Sequence, residues 1–183
     1  PTCEVLVLGG RLPPGMPVDW YVPWIRRGRE KGIPVLLDVS GETLAHNAPA
    51  GPTVLKPNLD ELSELVGRPL HTRREALDAA HELLAWGVDL VLASLGAEGA
   101  LAVTADRTYY LPAIPVTPVN CAGAGDALTA GLTYGYMHHW PLEESLRLAV
   151  ASATAVVITP GTAECHRVDI ERFKAQVELS AIS

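Results

Sequence analysis

The residues with the most chemical content lie in the run Val119 to Leu132, VNCAGAGDALTAGL, which joins a glycine-rich turn, a carboxylate and a helix start. After Gly125, small and apolar residues recur at Ala127, Leu128, Gly131, Leu132 and Gly135, as on a helix packed closely against a sheet. Asp126 then falls in the first turn of that helix. N–H groups at such a turn point outward and the helix dipole adds positive potential, so Gly123, Ala124 and Gly125 could cradle a phosphoryl oxygen as negative charge builds on it. Small residues there let the backbone approach a ligand. Asp126 can accept the proton of a hydroxyl attacking phosphorus. An ordinary helix N-terminus, with glycines for the turn and Asp126 answering the dipole, fits these residues equally well. Neither the Walker phosphate loop nor a GxGxxG dinucleotide fingerprint occurs in the chain.

The stretch NCAGAGDALTAGL resembles the second signature of the phosphofructokinase B group of ribokinase-like sugar kinases: Asp or Asn, Thr or Ser, any residue, then Gly-Ala-Gly-Asp. The resemblance extends along the chain in family order through LPPG (Leu12 to Gly15), LDVSGETL (Leu37 to Leu44), KPNLDEL (Lys56 to Leu62), SLGAEGAL (Ser94 to Leu101) and TPG (Thr159 to Gly161). It implies ATP-dependent phosphorylation of a sugar phosphate, with Asp126 as the base and Gly123, Ala124 and Gly125 stabilising the migrating phosphoryl group. LPPG, LDxSGE and KPNxxEL point to the hexose-phosphate members. Fructose 1-phosphate, giving fructose 1,6-bisphosphate, is the first expectation. Tagatose 6-phosphate kinase and 6-phosphofructokinase activities are near alternatives.

The same resemblance implies roles for residues at strand ends. Asn58 and Glu61 lie three apart, across one helical turn, where an amide and a carboxylate can orient water around Mg2+ bridging ATP phosphates. The same pair is also a helix cap with its capping-box partner, and both roles can coexist. Lys56 would neutralise nucleotide phosphate, or simply be solvated. Ser94, Gly96 and Gly99 match the family's nucleotide loop, although a plain strand-to-hairpin turn has the same composition. Asn120 and the Thr159 to Gly161 segment would frame the nucleotide. A monovalent cation near the glycine turn is left open. Arg11 stands where hexose-phosphate members carry a serine that holds the sugar's phosphate. Its guanidinium can grip that phosphate, shrink the pocket or face solvent. Cys121 and Val39 also depart from the pattern, which puts substrate identity in question rather than ATP chemistry.

With 183 residues, 48% of them hydrophobic, and a mean hydropathy of +0.18, the chain can bury one substantial core, read as a single α/β domain over residues 1–183. A net charge of −7 and a pI near 5.3 argue against a nucleic-acid partner. Cys3, Cys121 and Cys165 lie far apart without CxxC spacing, which fits a reduced, cytoplasmic setting. No apolar run nears the roughly 20 residues that span a bilayer, so no membrane partner is expected. Compared with the family, an N-terminal half is missing, with the first strands, most of the sugar pocket and the β lid. A non-catalytic nucleotide-binding or interaction module is therefore the alternative function. An apolar strand at Glu4 to Gly9 lacking its neighbour would invite self-association, for example as a homodimer.

Strands are expected at Glu4 to Gly9, in an interior position, and at Pro34 to Asp38, Thr53 to Lys56 and Leu90 to Ser94, with a hairpin formed by Ala100 to Thr104 and Thr108 to Leu111. Helices are expected at Pro17 to Lys31, with Val18, Tyr21, Val22 and Ile25 inward, and at Gly41 to His46, Leu59 to Val66, Thr72 to Trp86, about Gly123 to Met137, Leu142 to Ile158 and Val168 to Val177. The alternation predicts a ribokinase-like, doubly wound, mostly parallel sheet flanked by helices and lacking the N-terminal strands and lid.

Overall fold

A computed structural model describes residues 3–182. Its strands are β1 (Leu6–Gly9), β2 (Val35–Asp38), β3 (Val54–Leu55), β4 (Leu90–Ser94), β5 (Ala100–Val103), β6 (Thr108–Leu111) and β7 (Ser180–Ile182). They form one seven-stranded sheet in sequence order. The helices are α1 (Val22–Glu30), α2 (Gly41–Asn47), α3 (Leu59–Val66), α4 (Arg73–Leu84), α5 (Ala124–Met137), α6 (Leu142–Val157) and α7 (Arg167–Lys174). The chain divides into two compact units: residues up to Leu95 with Leu101–Thr108, and Gly96–Ala100 with Tyr109 onward.

In the first unit β1 to β4 run parallel, with Leu6 opposite Val35, Leu36 opposite Val54 and Leu55 opposite Val91. Residues of β2, β3 and β4 are buried on both faces, which is why these strands read as continuous apolar runs. Within this chain the first strand stands at the end of the order, the apolar edge expected for a strand without its neighbour, rather than in an interior position. β1 begins at Leu6 and ends the strand order, and Val7 is 43% exposed. An apolar run states that both faces resist water, not that both are covered.

The helix expected from Pro17 starts only at Val22, leaving Val18 exposed. Pro23 has no N–H and its ring would collide with the carbonyl of residue 19, so it is tolerated in the first turn but not in the interior. Asn47, fully buried, holds the preceding turns instead: its Oδ1 accepts from Tyr21 N–H at 2.9 Å, and its Nδ2 donates to the Val18 and Thr43 carbonyls at 2.6 and 2.7 Å. Capping boxes start both α3, through Asn58 and Glu61, and α4, through Thr72 and Glu75. N–H groups of His71 and Thr72, with the Thr72 side chain, hold the Glu75 carboxyl below the usual carboxylate range.

In the second unit α5 and α6 meet through small residues. A side chain on Gly131 would fall 2.6 Å from Ala149 Cα, and one on Gly135 would strike the Ser145 side chain. α7 stops at Lys174, short of the expected Val177, and buries Phe173 alone. β7, three residues long and largely exposed, has no counterpart among the expected strands, because so short a segment has no periodicity to read.

The backbone approach at Gly131 should make Gly131→Ala destabilising by about 1–3 kcal/mol, since the methyl meets main chain rather than a side chain that can turn away. Urea unfolding checks this, with Ala130→Gly on the exposed face of α5 as the comparison.

Candidate functional site

Parallel strands direct their carboxyl ends the same way, and in α/β sheets ligands collect there. In the first unit those ends carry Gly10 and Arg11 after β1, Asp38 at the end of β2, Lys56 and Asn58 after β3, and Ser94 at the end of β4. Gly10 has φ +79°, and Arg11 follows it exposed, with no partner among the described residues. Lys56 is not the solvated lysine that a strand end usually shows. It is 8% exposed, its N–H donates to the Leu37 carbonyl at 3.2 Å, and its Nζ lies 3.0 Å from Asp38 Oδ1.

Asn58 and Glu61 form the reciprocal cap. Glu61 N–H donates to Asn58 Oδ1 and Asn58 N–H donates to Glu61 Oε2, both at 2.9 Å. The helical spacing therefore does its capping work while Glu61 Oε1 stays available. An isolated parallel bridge ties Asn58 to Ser94, whose N–H donates to the Pro57 carbonyl at 3.0 Å. No group of three or more His, Cys, Asp or Glu side chains suited to a metal occurs among the described residues. That donor set fits Mg2+ held mainly by phosphate and water, with Glu61 accepting from a metal-bound water, and does not fit a site built of protein ligands alone.

In the second unit Gly123 is the left-handed N-cap of α5, at φ +89°. Ala124 N–H donates to the Cys121 carbonyl at 3.3 Å and Ala127 N–H to the Gly123 carbonyl at 2.9 Å, while the N–H groups of Gly125 and Asp126 have no backbone acceptor among the described residues. Asp126 is exposed in this first turn, and its carboxylate has no partner among the described residues. A free carboxylate and two free donors thus share one helix turn.

The turn is held by the segment after α6. Ala163 N–H donates to the Ala122 carbonyl at 3.0 Å, and a side chain on Gly123 would come within 2.6 Å of Ala163 Cα. Ala163 itself has φ +54°, a left-handed conformation that a non-glycine residue keeps only where its surroundings fix it. Asn120, expected to frame the nucleotide, has both ends of its amide engaged within the protein. Oδ1 accepts from Ala122 N–H at 2.9 Å, and Nδ2 donates to the Pro160 carbonyl at 3.0 Å. Gly96, at φ +59°, opens a short turn to Glu98, and the Tyr110 hydroxyl donates to the Glu98 carbonyl at 2.8 Å. At Gly99, φ +103°, any side chain would fall within 2.6 Å of Ala113 N, so this glycine is required by the chain's own packing.

Lys56, Asn58, Glu61 and Ser94 are thus gathered in the first unit, and Gly123 to Asp126 with Asn120 in the second. Sequence reasoning missed Asp38 and Ala163. Asp38 stands in the LDVSGETL stretch, whose spacing says nothing of a lysine partner, and an alanine carries no mark of left-handed backbone.

Comparison with known proteins places these constellations in context. The profile of the pfkB family carbohydrate kinases matches residues 2–169. The chain is 43% identical over 169 residues to the ATP-dependent 6-phosphofructokinase isozyme 2 of Mycobacterium tuberculosis, covering 92% of this chain and 50% of that protein. It is 38% identical over 179 residues to the 1-phosphofructokinase of Haloferax volcanii, covering 98% and 57%. The crystal structure of phosphofructokinase-2 from Escherichia coli in complex with potassium superposes with a TM-score of 0.88 at 32% identity, covering 94% of this chain and 56% of that one. The chain spans about half the length of the curated relatives it matches.

The Gly123 to Ala163 contact gives a direct expectation. Gly123→Ala forces both a disfavoured φ and a main-chain collision, and should cost about 1–3 kcal/mol of stability. Thermal unfolding of this variant beside Ala122→Gly measures it.

Proposed function

The chain belongs to the pfkB family of carbohydrate kinases, and from this membership we propose that it carries the nucleotide-binding and phosphoryl-transfer machinery of an ATP-dependent sugar-phosphate kinase. The observation that carries the proposal is the unpartnered Asp126 carboxylate in the same turn as the free N–H groups of Gly125 and Asp126. In this reading Asp126 takes the proton of the acceptor hydroxyl as that oxygen bonds to the γ-phosphorus. The bond from phosphorus to the bridging oxygen breaks, and ADP leaves with its electrons. Free N–H groups at Gly125 and Asp126 face charge that grows on the phosphoryl oxygens, where a fixed donor acts most strongly. Lys56 supplies positive charge to nucleotide phosphate. Mg2+, when bound, neutralises phosphate charge; Glu61 Oε1 would hold one of its waters, and Asn58 keeps Glu61 in place.

The acceptor in this reading is a fructose phosphate. Fructose 1-phosphate is supported by the similarity to the Haloferax volcanii enzyme, and fructose 6-phosphate, the competing choice, by that to the Mycobacterium tuberculosis enzyme. Arg11, an exposed cation after β1, is the proposed contact for the sugar's phosphate. A monovalent cation near the glycine turn is a further part of the reading, supported by the potassium complex of the Escherichia coli neighbour. A second reading, nucleotide binding without transfer, needs only the strand-end residues Lys56, Asn58 and Glu61 of the first unit.

Asp126→Asn decides the role of the base. Turnover of fructose phosphates should fall about 10²–10⁴-fold while MgATP affinity changes only a few-fold. Equal turnover in wild type and variant would remove Asp126 from that role. Nucleotide binding with no wild-type turnover would favour the second reading.

A further inference from the structure

Among the described residues, Lys56 is the one lysine, arginine, aspartate or glutamate in the buried class. An ammonium carries three N–H donors. Asp38 Oδ1 takes one of them at 3.0 Å, and Lys56 Nζ has no other partner among the described residues. Two donors of a side chain that is 9% exposed are therefore left unused by the protein. The pair also sits where β2 and β3 end side by side, one residue past the Leu37 and Leu55 register, two residues before Asn58. A buried ion pair adds little stability over apolar side chains of the same volume.

We propose that Asp38 is a positioning residue for phosphate recognition: its carboxylate fixes the Lys56 ammonium at the carboxyl edge of β3 and leaves two N–H donors for the phosphate oxygens of a nucleotide. The inference rests on the nucleotide-binding reading of the chain and adds a residue to it. A lysine stem left free would be ordered only when ligand arrives, and that loss of freedom weakens binding. With Asp38 in place the stem is ordered on folding. The benefit is placement rather than field, because the carboxylate cancels much of the ammonium's attraction for an anion at longer range. This gives the inference a sign. If Asp38 merely neutralised Lys56, Asp38→Asn would tighten phosphate binding; as a positioning residue, its loss weakens it.

The probe is MgADP, titrated calorimetrically into the 183-residue chain. The readout is paired with ammonium 15N spectra, in which only Lys31, Lys56 and Lys174 contribute side-chain signals. Asp38→Asn should weaken MgADP binding by about tenfold or more and broaden the Lys56 signal, while Asp38→Glu restores affinity to within about threefold. Asp38→Asn strands a buried ammonium and can fail to fold, so the double variant Asp38→Leu with Lys56→Met is the second arm. It removes both charges, should stay folded, and should still lose MgADP affinity. Unchanged or tighter binding by Asp38→Asn, or wild-type affinity in the double variant, would overturn the inference while leaving the nucleotide reading standing. Absence of saturable MgADP binding by the folded wild-type chain would overturn the nucleotide reading and this inference with it.

Discussion

Gly123 pressed against the backbone of Ala163 is the contact on which the start of α5 depends. The left-handed turn at Gly123 ends the preceding loop and directs the chain into a helix whose Gly125 and Asp126 N–H groups have no backbone acceptor among the described residues. Such a turn would be soft if glycine stood alone. Here the Ala163 N–H bond to the Ala122 carbonyl, the Asn120 amide reaching to Pro160, and the left-handed Ala163 itself fix it from one side. Behind it, Gly131 lets α6 approach α5 main chain to main chain, and Gly135 makes room for the Ser145 side chain. Donors held by this much surrounding structure need little reorganisation when charge develops on a ligand, which is what gives fixed dipoles their value in catalysis.

The carboxyl ends of β1 to β4 obey a different constraint. Parallel pairing places Asp38 beside Lys56 and Asn58 beside Ser94 without any of them being near in sequence to more than one other. Asn58 and Glu61 spend one amide oxygen and one carboxylate oxygen on capping α3, and these reciprocal bonds fix both side chains against the helix start.

Much of this was legible in the sequence because local rules wrote it. The start of α3 at Leu59 and the Thr72 cap follow from spacing alone; the small residues of α5 are equally visible, but spacing suggests a sheet as their neighbour and Gly131 and Gly135 meet α6 instead. Two kinds of feature were not legible. The first is pairing across the sheet: a buried lysine at a strand end is recognisable only once β2 and β3 are side by side, and sequence spacing of 18 residues between Asp38 and Lys56 says nothing of it. The second is backbone conformation where the residue type gives no warning, as at Ala163. Pro23 is the opposite case, a strong local signal that outweighs the apolar spacing of Val18, Tyr21, Val22 and Ile25.

The central claim is that the turn from Gly123 to Asp126 is an anion cradle with donors in place before ligand binds. Backbone 1H–15N spectra of the chain, titrated with MgADP and then with fluoroaluminate as a mimic of the migrating phosphoryl group, test it most directly. The Gly125 and Asp126 amide protons should shift downfield and saturate on addition of the mimic, with the Ala163 signal unchanged in position or sharpened. Saturable binding of nucleotide and mimic with the Gly125 and Asp126 amides unmoved would contradict it.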